Sequence, residues 1–583
     1  MYKKIKTIIK AIVPRSLEEA RVLYEQALIG MTFFLIPLVM SQSLRDNYTI
    51  IKWKIVHLFA VLAVFQLFFV YKKLLLPNLG KWLSYAFLTI MGIWGWEYYF
   101  HRIPFFSDVT IDRMAFLGLT LFFYKQLKER PQTLDVISYA LLASMGVFAY
   151  LIFSQNVLSF HELFSIDLSP AIRKKIQFTF GNENMAAQFF SVAALCALRE
   201  IFLRKTLWLK AAWGTLFIIV SLFLLKSGCR SALVGLGMGA AFYGSMRCRP
   251  PYRVYLLKAS IVLGIGLFSI MLLVRPQTVH HRQEMWSNAF SMIKDYPLGI
   301  GRERFNFYHV LYQDKDQIQP RSETLVERTP HNEILKYLVE EGWIFVGAVL
   351  IFLLLFLRTH GSILLDTLKR QERLQLMGGL FFILSAEFFF QFPFEVAFPY
   401  LMLCCFSGYI LSVLPQGKGF TMPPAIGVPL FFIFLMGTSF LYIANLGHGS
   451  ERFYKFLPEL GCRLAPYEWR TCDQYIRHLE REQSTWIALE EEFDQLALRP
   501  YSFLSVLQVG RAYFMLKERE KSCKFAWFYD RLFDSKSNLR SFILQNCPES
   551  EQTPYLSRSL KDHYKGLFDH LPEDQQRRLT HNT

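Results

Sequence analysis

The sequence predicts an all-α protein: a polytopic membrane helix bundle of about 13 spans, with a large polar loop and a helical C-terminal domain on its outer face. Three observations lead there. Of 583 residues, 53% are hydrophobic and only 19% charged, against roughly 25% charged in an ordinary soluble domain. Apolar stretches long enough to cross about 30 Å of hydrocarbon recur throughout residues 22–445. The net charge of +17 belongs wholly to residues 1–445, because residues 446–583 hold 20 Lys/Arg and 20 Asp/Glu. Basic charge that travels with spans marks cytoplasmic loops and anionic headgroups. Nucleic acid is excluded as a partner, since no platform of interleaved basic and aromatic residues is present. The 56 Phe, interrupted by 32 Gly and 24 Pro, also exclude a disordered, collagen-like or coiled-coil chain.

Residues 1–21 read as a cytoplasmic N-terminal segment. The start, Met1-Tyr2-Lys3-Lys4-Ile5-Lys6, is basic like a signal peptide, but no small-residue cleavage site follows the first apolar run, so that run is taken as an uncleaved span. Spans are expected near 22–41, 55–71, 82–100, 107–124, 134–154, 184–198, 207–225, 230–246, 254–274, 342–357, 375–392, 397–414 and 424–445. With the N-terminus inside, the inner short loops carry 17 Lys/Arg and the outer short loops, of similar combined length, carry 8. An odd number of spans then places the 275–341 loop and the 446–583 tail on the outer face, which for the inner (cytoplasmic) membrane of a bacterium with two membranes is the periplasm. Glu97, Arg113, Arg230 and Glu387 all map to the outer halves of their spans. Each alone reads as an end-of-span residue reaching for headgroups, and together they mark a functional cavity. Gly235, Gly237 and Gly239 within one span favour close helix packing, and tracts such as Phe388-Phe389-Phe390 read as lipid-facing bulk.

Long loops between spans are usually functional or disordered, and the 275–341 loop has the pattern of an ordered one. It runs from Arg282 and Trp286 through an amphipathic Ala289–Ile293, turns at Pro297-Leu298-Gly299-Ile300-Gly301, and ends in Thr329-Pro330-His331-Asn332-Glu333-Ile334-Leu335 up to Glu340 and Gly342. The spacing predicts a helix with Thr329 as N-cap, Pro330 at its first position and Gly342 at its stop. His331 then falls in the first turn, and Ile334, Leu335 and Leu338 form the apolar face. A helix N-terminus disfavours a protonated imidazole, which suits a general base near neutral pH. The plainer alternative is an interfacial His bonded to a loop carbonyl. Gly299-x-Gly301 is a turn rather than a nucleotide loop, because no strand precedes it.

This loop resembles the large periplasmic loop of the O-antigen ligase and polymerase superfamily. Upstream, Gly181-Asn182-Glu183-Asn184 resembles that family's Gly-Asn-x-Asn segment before a span, and Ser227-Gly228-Cys229-Arg230-Ser231 its Ser-Arg segment at the start of another. The resemblance covers about residues 180–415, and two positions depart from it: Cys229 stands where Ser or Thr is usual, and Arg302 where a small residue or Pro is usual. It implies a membrane glycosyltransferase that moves a glycan from a polyprenyl-diphosphate carrier to an acceptor hydroxyl, on a lipid core sugar, a protein or the growing glycan. His331 would take the acceptor proton, Arg230 and Arg282 would neutralise the diphosphate with planar bidentate donors, and Asn182, Asn184, Asn332, Arg302 and Glu340 would bind substrate. The partners implied are the lipid-linked glycan donor, the acceptor and membrane lipids. The alternative class is a multi-span solute transporter, which calls for midplane broken-helix sites and repeat symmetry that this sequence lacks.

The tail reads as a helical periplasmic domain. Gly510 and Tyr513 have the spacing of a tetratricopeptide-type first helix, but the second-helix positions fit poorly. Five of the nine Cys lie in or beside spans and four, Cys462, Cys472, Cys523 and Cys547, in the tail, without metal-ligand spacing. No cofactor and no metal is expected. Transfer by the purified protein should therefore survive a chelator; loss that Mg²⁺ or Mn²⁺ restores would show that arginines are not what neutralises the diphosphate.

Overall fold

The computed structural model describes residues 16–40, 49–71, 74–77, 108–248 (save 166 and 168), 276–309 (save 303), 329–420 (save 392), 428–439 (save 430) and 503–532, with isolated positions elsewhere. The expected spans at 82–100 and 254–274 lie, but for isolated positions, outside the described residues, as do Glu97, Cys462 and Cys472. Helices form where the apolar runs lie: α1 (Leu17–Leu35), α2 (Thr49–Phe65), α3 (Asp108–Glu129), α4 (Thr133–Ser154), short α5 (Phe160–Phe164) and α6 (Pro170–Ile176), α7 (Glu183–Leu203), α8 (Leu207–Ser227) and α9 (Arg230–Arg247). The polar loop supplies α10 (Pro276–Asp295), α11 (Phe305–His309) and α12 (Glu333–Glu340); then come α13 (Gly342–Arg370), α14 (Glu372–Phe390), α15 (Ala397–Val413) and the tail hairpin α16 (Phe503–Met515) and α17 (Arg519–Leu532).

Among the described residues six helices are long and apolar enough to cross a membrane, namely Ile51–Val70, Thr133–Ser154, Glu183–Leu203, Leu207–Ser227, Gly342–Arg370 and Glu372–Phe390, with Ala397–Val413 a shorter apolar one. The first includes a π-helical turn, Gln66–Val70, that follows α2. The all-α expectation holds apart from one antiparallel ribbon in which Leu74–Pro77 pairs with Gln416–Phe420, joining two of the expected inner loops. Pro77 has no N–H to donate, which is tolerable in so small a ribbon because each of its strands is an edge. Helix α13 was expected to end at 357 and instead runs unbroken to Arg370; its 29 residues make about 44 Å at 1.5 Å per residue. Only 6% of its most apolar window is buried, as suits a helix bathed in lipid.

The chain divides into two compact units. The first comprises Met1–Lys81, Asp112–Arg275 and Phe356–Thr438, and the second Trp82–Ile111, Pro276–Leu355 and Ser439–Thr583. In the first, α9 and α14 meet through glycine. A Cβ on Gly239 would lie 2.5 Å from the Gly379 carbonyl oxygen and one on Gly235 would lie 3.0 Å from Ile383 Cα, whereas one on Gly237 would meet nothing. Close packing therefore uses the two glycines that are four apart, on one helix face. Phenylalanine fills the next layer: Phe148 packs against Phe178, Phe190 and Phe223 with ring centroids 5.3 to 6.0 Å apart.

Two polar networks close the helix ends that carry the basic loops. Arg199, with 3% of its side chain exposed, donates to Asp135 at 2.5 Å and to Glu372 at 2.9 Å, while Tyr243 donates to Glu372 and Arg373 to Asp135. Four helices (α4, α7, α9 and α14) are tied by that one cluster. A second joins α1, the end of α2 and α3: Glu25, fully buried, accepts from Tyr71 at 2.7 Å, from Gln126 at 2.9 Å and from Arg130 at 2.6 Å. Close to it, Lys128 donates to the carbonyls of Ser412 and Leu414, fastening α3 to the end of α15.

The glycine contact generates a paired test. Gly239→Val should lower folded yield and thermal stability in detergent, with overpacking costing on the order of 1–3 kcal/mol, while Gly237→Ala two residues away should change neither. Equal sensitivity at both positions would contradict the α9–α14 seam.

Candidate functional site

The residues singled out from sequence fall on both units. In the first, Asn182 is the N-cap of α7, its side-chain oxygen accepting from Asn184 N–H at 2.7 Å, with Gly181 at φ +71° delivering the chain to the cap. Asn184 sits half-buried in the first turn. The segment before them is anchored: Thr179 donates its hydroxyl to Pro37 O, and Lys52 donates to Thr179 O at 2.7 Å while lying 4.0 Å from the Phe180 ring centroid. Arg230 is the first residue of α9 and half-buried. Gly228 closes α8 in the left-handed region at φ +67°, and Cys229 takes the N-cap position of α9 without a side-chain cap bond. One turn earlier Lys226, 2% exposed, donates to Ser165 O at 2.6 Å, Ser165 Oγ at 3.1 Å and Asp167 O at 2.7 Å. These bonds pin the α5–α6 connection to the turn that presents Arg230. In that connection Ser159 and Glu162 form a capping box, and the Lys175 ammonium with the Ser159 amide holds the Glu162 carboxyl down at about 2.

The second unit contains the loop. Met285, Ala289 and Met292 are buried along one face of α10, and Leu335 and Val339 are buried on α12, which packs against it. The Pro297–Gly301 turn is stitched to the end of α12: Ile300 N–H donates to Val339 O at 3.0 Å, Gly301 N–H to Glu340 O at 2.9 Å, and Trp343 N–H to Pro297 O at 3.1 Å. Glycine is required at both crossing points. Gly299 has φ +92° and a Cβ on it would lie 2.4 Å from Glu340 O; Gly342 has φ +85° and a Cβ on it would lie 2.4 Å from Leu298 C. The turn and the glycine stop anticipated from sequence are both present.

The start of α12 differs from expectation. The helix begins at Glu333 with Asn332 as N-cap, whose side-chain oxygen accepts from Leu335 N–H at 2.9 Å. His331 is therefore outside the helix, one residue before the cap, in the left-handed region at φ +50°. Asn outranks Thr as a cap, and a cap at 332 lets Thr329 serve a separate turn, its hydroxyl accepting from His331 N–H at 3.4 Å. A non-glycine residue in that region carries strain of about 1–3 kcal/mol, a cost concentrated at functional sites. From α10 the Trp286 indole N–H donates to Pro330 O at 2.9 Å. Arg282, half-buried, lies four residues before Trp286 and so on the same face of α10. The expected apolar face of α12 also needs correction, since Ile334 is 39% exposed and the buried face combines Leu335 and Val339 with Glu333, Lys336 and Glu340.

The structure thus brings Trp286 to the segment of His331 and Asn332 at the start of α12, with Arg282 one turn before Trp286 on α10. Glu340 is elsewhere, buried at the other end of α12 with Lys336 Nζ 3.9 Å from its carboxylate. Arg302 follows the Gly301 turn, half-buried. Residues missed from sequence include Arg304, 1% exposed and donating to Ile300 O at 3.3 Å, and Tyr308, whose phenol burial pushes up. The spacing of Glu333, Lys336 and Glu340 was a signal for one charged helix face, hidden by the apolar residues interleaved with it. In the first unit the pair of buried His57 Nε2 and half-buried Asp112 Oδ1, 2.7 Å apart, was also missed.

Residues 215–352 match the model of the family described as O-antigen ligase. The match covers about a quarter of the chain and supports a membrane glycosyl-transfer function of the ligase or polymerase kind. The match encloses Arg230, Arg282, Arg302, His331, Asn332 and Glu340, and leaves out Asn182 and Asn184. No curated protein matches the chain.

The stitched turn should be intolerant of any side chain. Gly299→Ala should leave the membrane helices folded yet make the loop sensitive to limited proteolysis and cut glycan transfer at least about tenfold, because a misplaced catalytic group costs rate steeply. A protease-resistant, fully active Gly299→Ala protein would refute the crossing.

Proposed function

We propose that this chain transfers a glycan from a polyprenyl-diphosphate carrier to an acceptor hydroxyl on the outer face of a bacterial inner membrane. The observation that carries the reading is that the family match encloses both the Arg230 turn and the whole His331 loop. The acceptor oxygen forms a bond to the anomeric carbon as the bond from that carbon to the diphosphate oxygen breaks. His331 receives the hydroxyl proton, and the electron pair leaves with the diphosphate. Arg282, in the same unit as His331, offsets the charge that develops there, a form of stabilisation that a low-dielectric site strengthens, and Arg230 is assigned to the diphosphate by the family resemblance alone. Arg230 stands at the start of α9, where the helix dipole adds to its effect on an anion.

Orientation is supported twice. The basic loops favour a cytoplasmic N-terminus, and Cys523 and Cys547 of the tail form a disulfide, a bond that persists in oxidising compartments such as the periplasm. The polar networks of Arg199 and Glu25 then lie at the cytoplasmic end and bind it shut, as suits an enzyme worked from outside rather than an alternating-access transporter. Thirteen spans complete this topology. Reporter fusions after Asn445 should give a periplasmic signal; a cytoplasmic one would remove the tail and the loop from the outer face.

His331→Ala should abolish transfer, by about 10²–10⁴-fold, with carrier binding nearly intact, since base catalysis contributes rate and little ground-state affinity. Arg230→Lys and Arg282→Lys keep the charge and lose the bidentate fork, so each should weaken carrier binding as well as slow transfer. The measurement is glycan transfer, with folded protein in the membrane quantified alongside. Normal transfer by well-expressed His331→Ala protein would end the general-base assignment.

A further inference from the structure

We infer that Trp286 is a positioning residue for His331, a role that rests on the proposed function of His331 as base. Both atoms of the peptide group before His331 are held. Its oxygen, on Pro330, accepts the Trp286 indole N–H at 2.9 Å, and its N–H, on His331, donates to Thr329 Oγ1 at 3.4 Å. On the other side Asn332 caps α12 and accepts from Leu335 N–H at 2.9 Å. With the preceding peptide plane gripped and the following residue fixed as a cap, His331 is held at φ +50°, a conformation that an L-residue seldom adopts unsupported. That backbone fixes the direction of the His331 Cα–Cβ bond, which carries the imidazole. The grip comes from α10, whose Met285, Ala289 and Met292 are buried, so Trp286 stands on a rigid element rather than on the loop it controls.

Trp286→Phe removes the indole donor and keeps an aromatic ring. In the full-length protein in membranes, this variant should lose at least about tenfold in transfer rate, while retention of a polyprenyl diphosphate, used alone as the binding probe, stays within about twofold. Because the effect passes through the imidazole, Trp286→Phe/His331→Ala should transfer no more slowly than His331→Ala. Thr329→Val should repeat the loss through the other atom of the same peptide and Thr329→Ser should restore it, a route that remains open if Trp286→Phe folds poorly. Wild-type rates for both Trp286→Phe and Thr329→Val, beside an inactive His331→Ala, would overturn the positioning role alone. Further loss from Trp286→Phe in the His331→Ala background would also overturn it. Normal transfer by His331→Ala would overturn the base assignment and this inference together.

Discussion

Arg199 sets the terms on which the helix bundle closes. A guanidinium with 3% of its side chain exposed cannot be left without partners in an apolar bundle, and here its planar fork is met by carboxylates from two different helices. Removing one partner of such a pair typically costs about 3–5 kcal/mol, because the remaining charge stays buried. Asp135 and Glu372 take further donors from Arg373 and Tyr243, so their oxygens are satisfied too. Hydrophobic matching gives helices in lipid little preference for one another, whereas a polar cluster specifies which helices meet and at what height. The glycine seam between α9 and α14 sets the distance between those two helices, and the cluster sets their register.

The polar loop is organised by backbone satisfaction rather than by bulk. Its turn donates two N–H groups to the end of α12 and accepts one from the start of α13, in a place where glycine alone leaves room for the backbone segments to cross. That stitch leaves the opposite end of α12 to present His331 and Asn332, with α10 running alongside as a splint. Rigidity at one end and strain at the other is a division of labour suited to a site that must hold a side chain in a costly conformation.

Much of this was legible in the sequence because membrane insertion is a matter of length and apolarity. The runs at 134–154, 207–225 and 375–392 became helices within a few residues of their expected limits. Gly342 as a stop and Pro297–Gly301 as a turn were legible because glycine at such positions has few alternative uses. The N-cap was misplaced because Thr329-Pro330 and Asn332 offer competing starts three residues apart, and only tertiary contacts, Trp286 with Pro330 and Thr329 with His331, decide between them. The charged face of α12 and the cluster around Arg199 were illegible for a related reason. A charge near a span end looks the same whether it meets headgroups or a partner distant in sequence, and Arg199 pairs with residues 64 and 173 positions away.

The tail disulfide joins a helical hairpin to a segment of chain that follows it. Helices α16 and α17 are joined by a short turn at Lys517, and they pack directly, with Ser522 bonding Gly510 O and Tyr513 lying against Phe525. All of that hairpin precedes Cys547, the later-synthesised partner of Cys523. The contacts of the hairpin thus all lie upstream of the second thiol, and the disulfide ties the segment around Cys547 back to them. Reduction of Cys523–Cys547 should therefore leave the α16–α17 packing in place and free only the segment around Cys547.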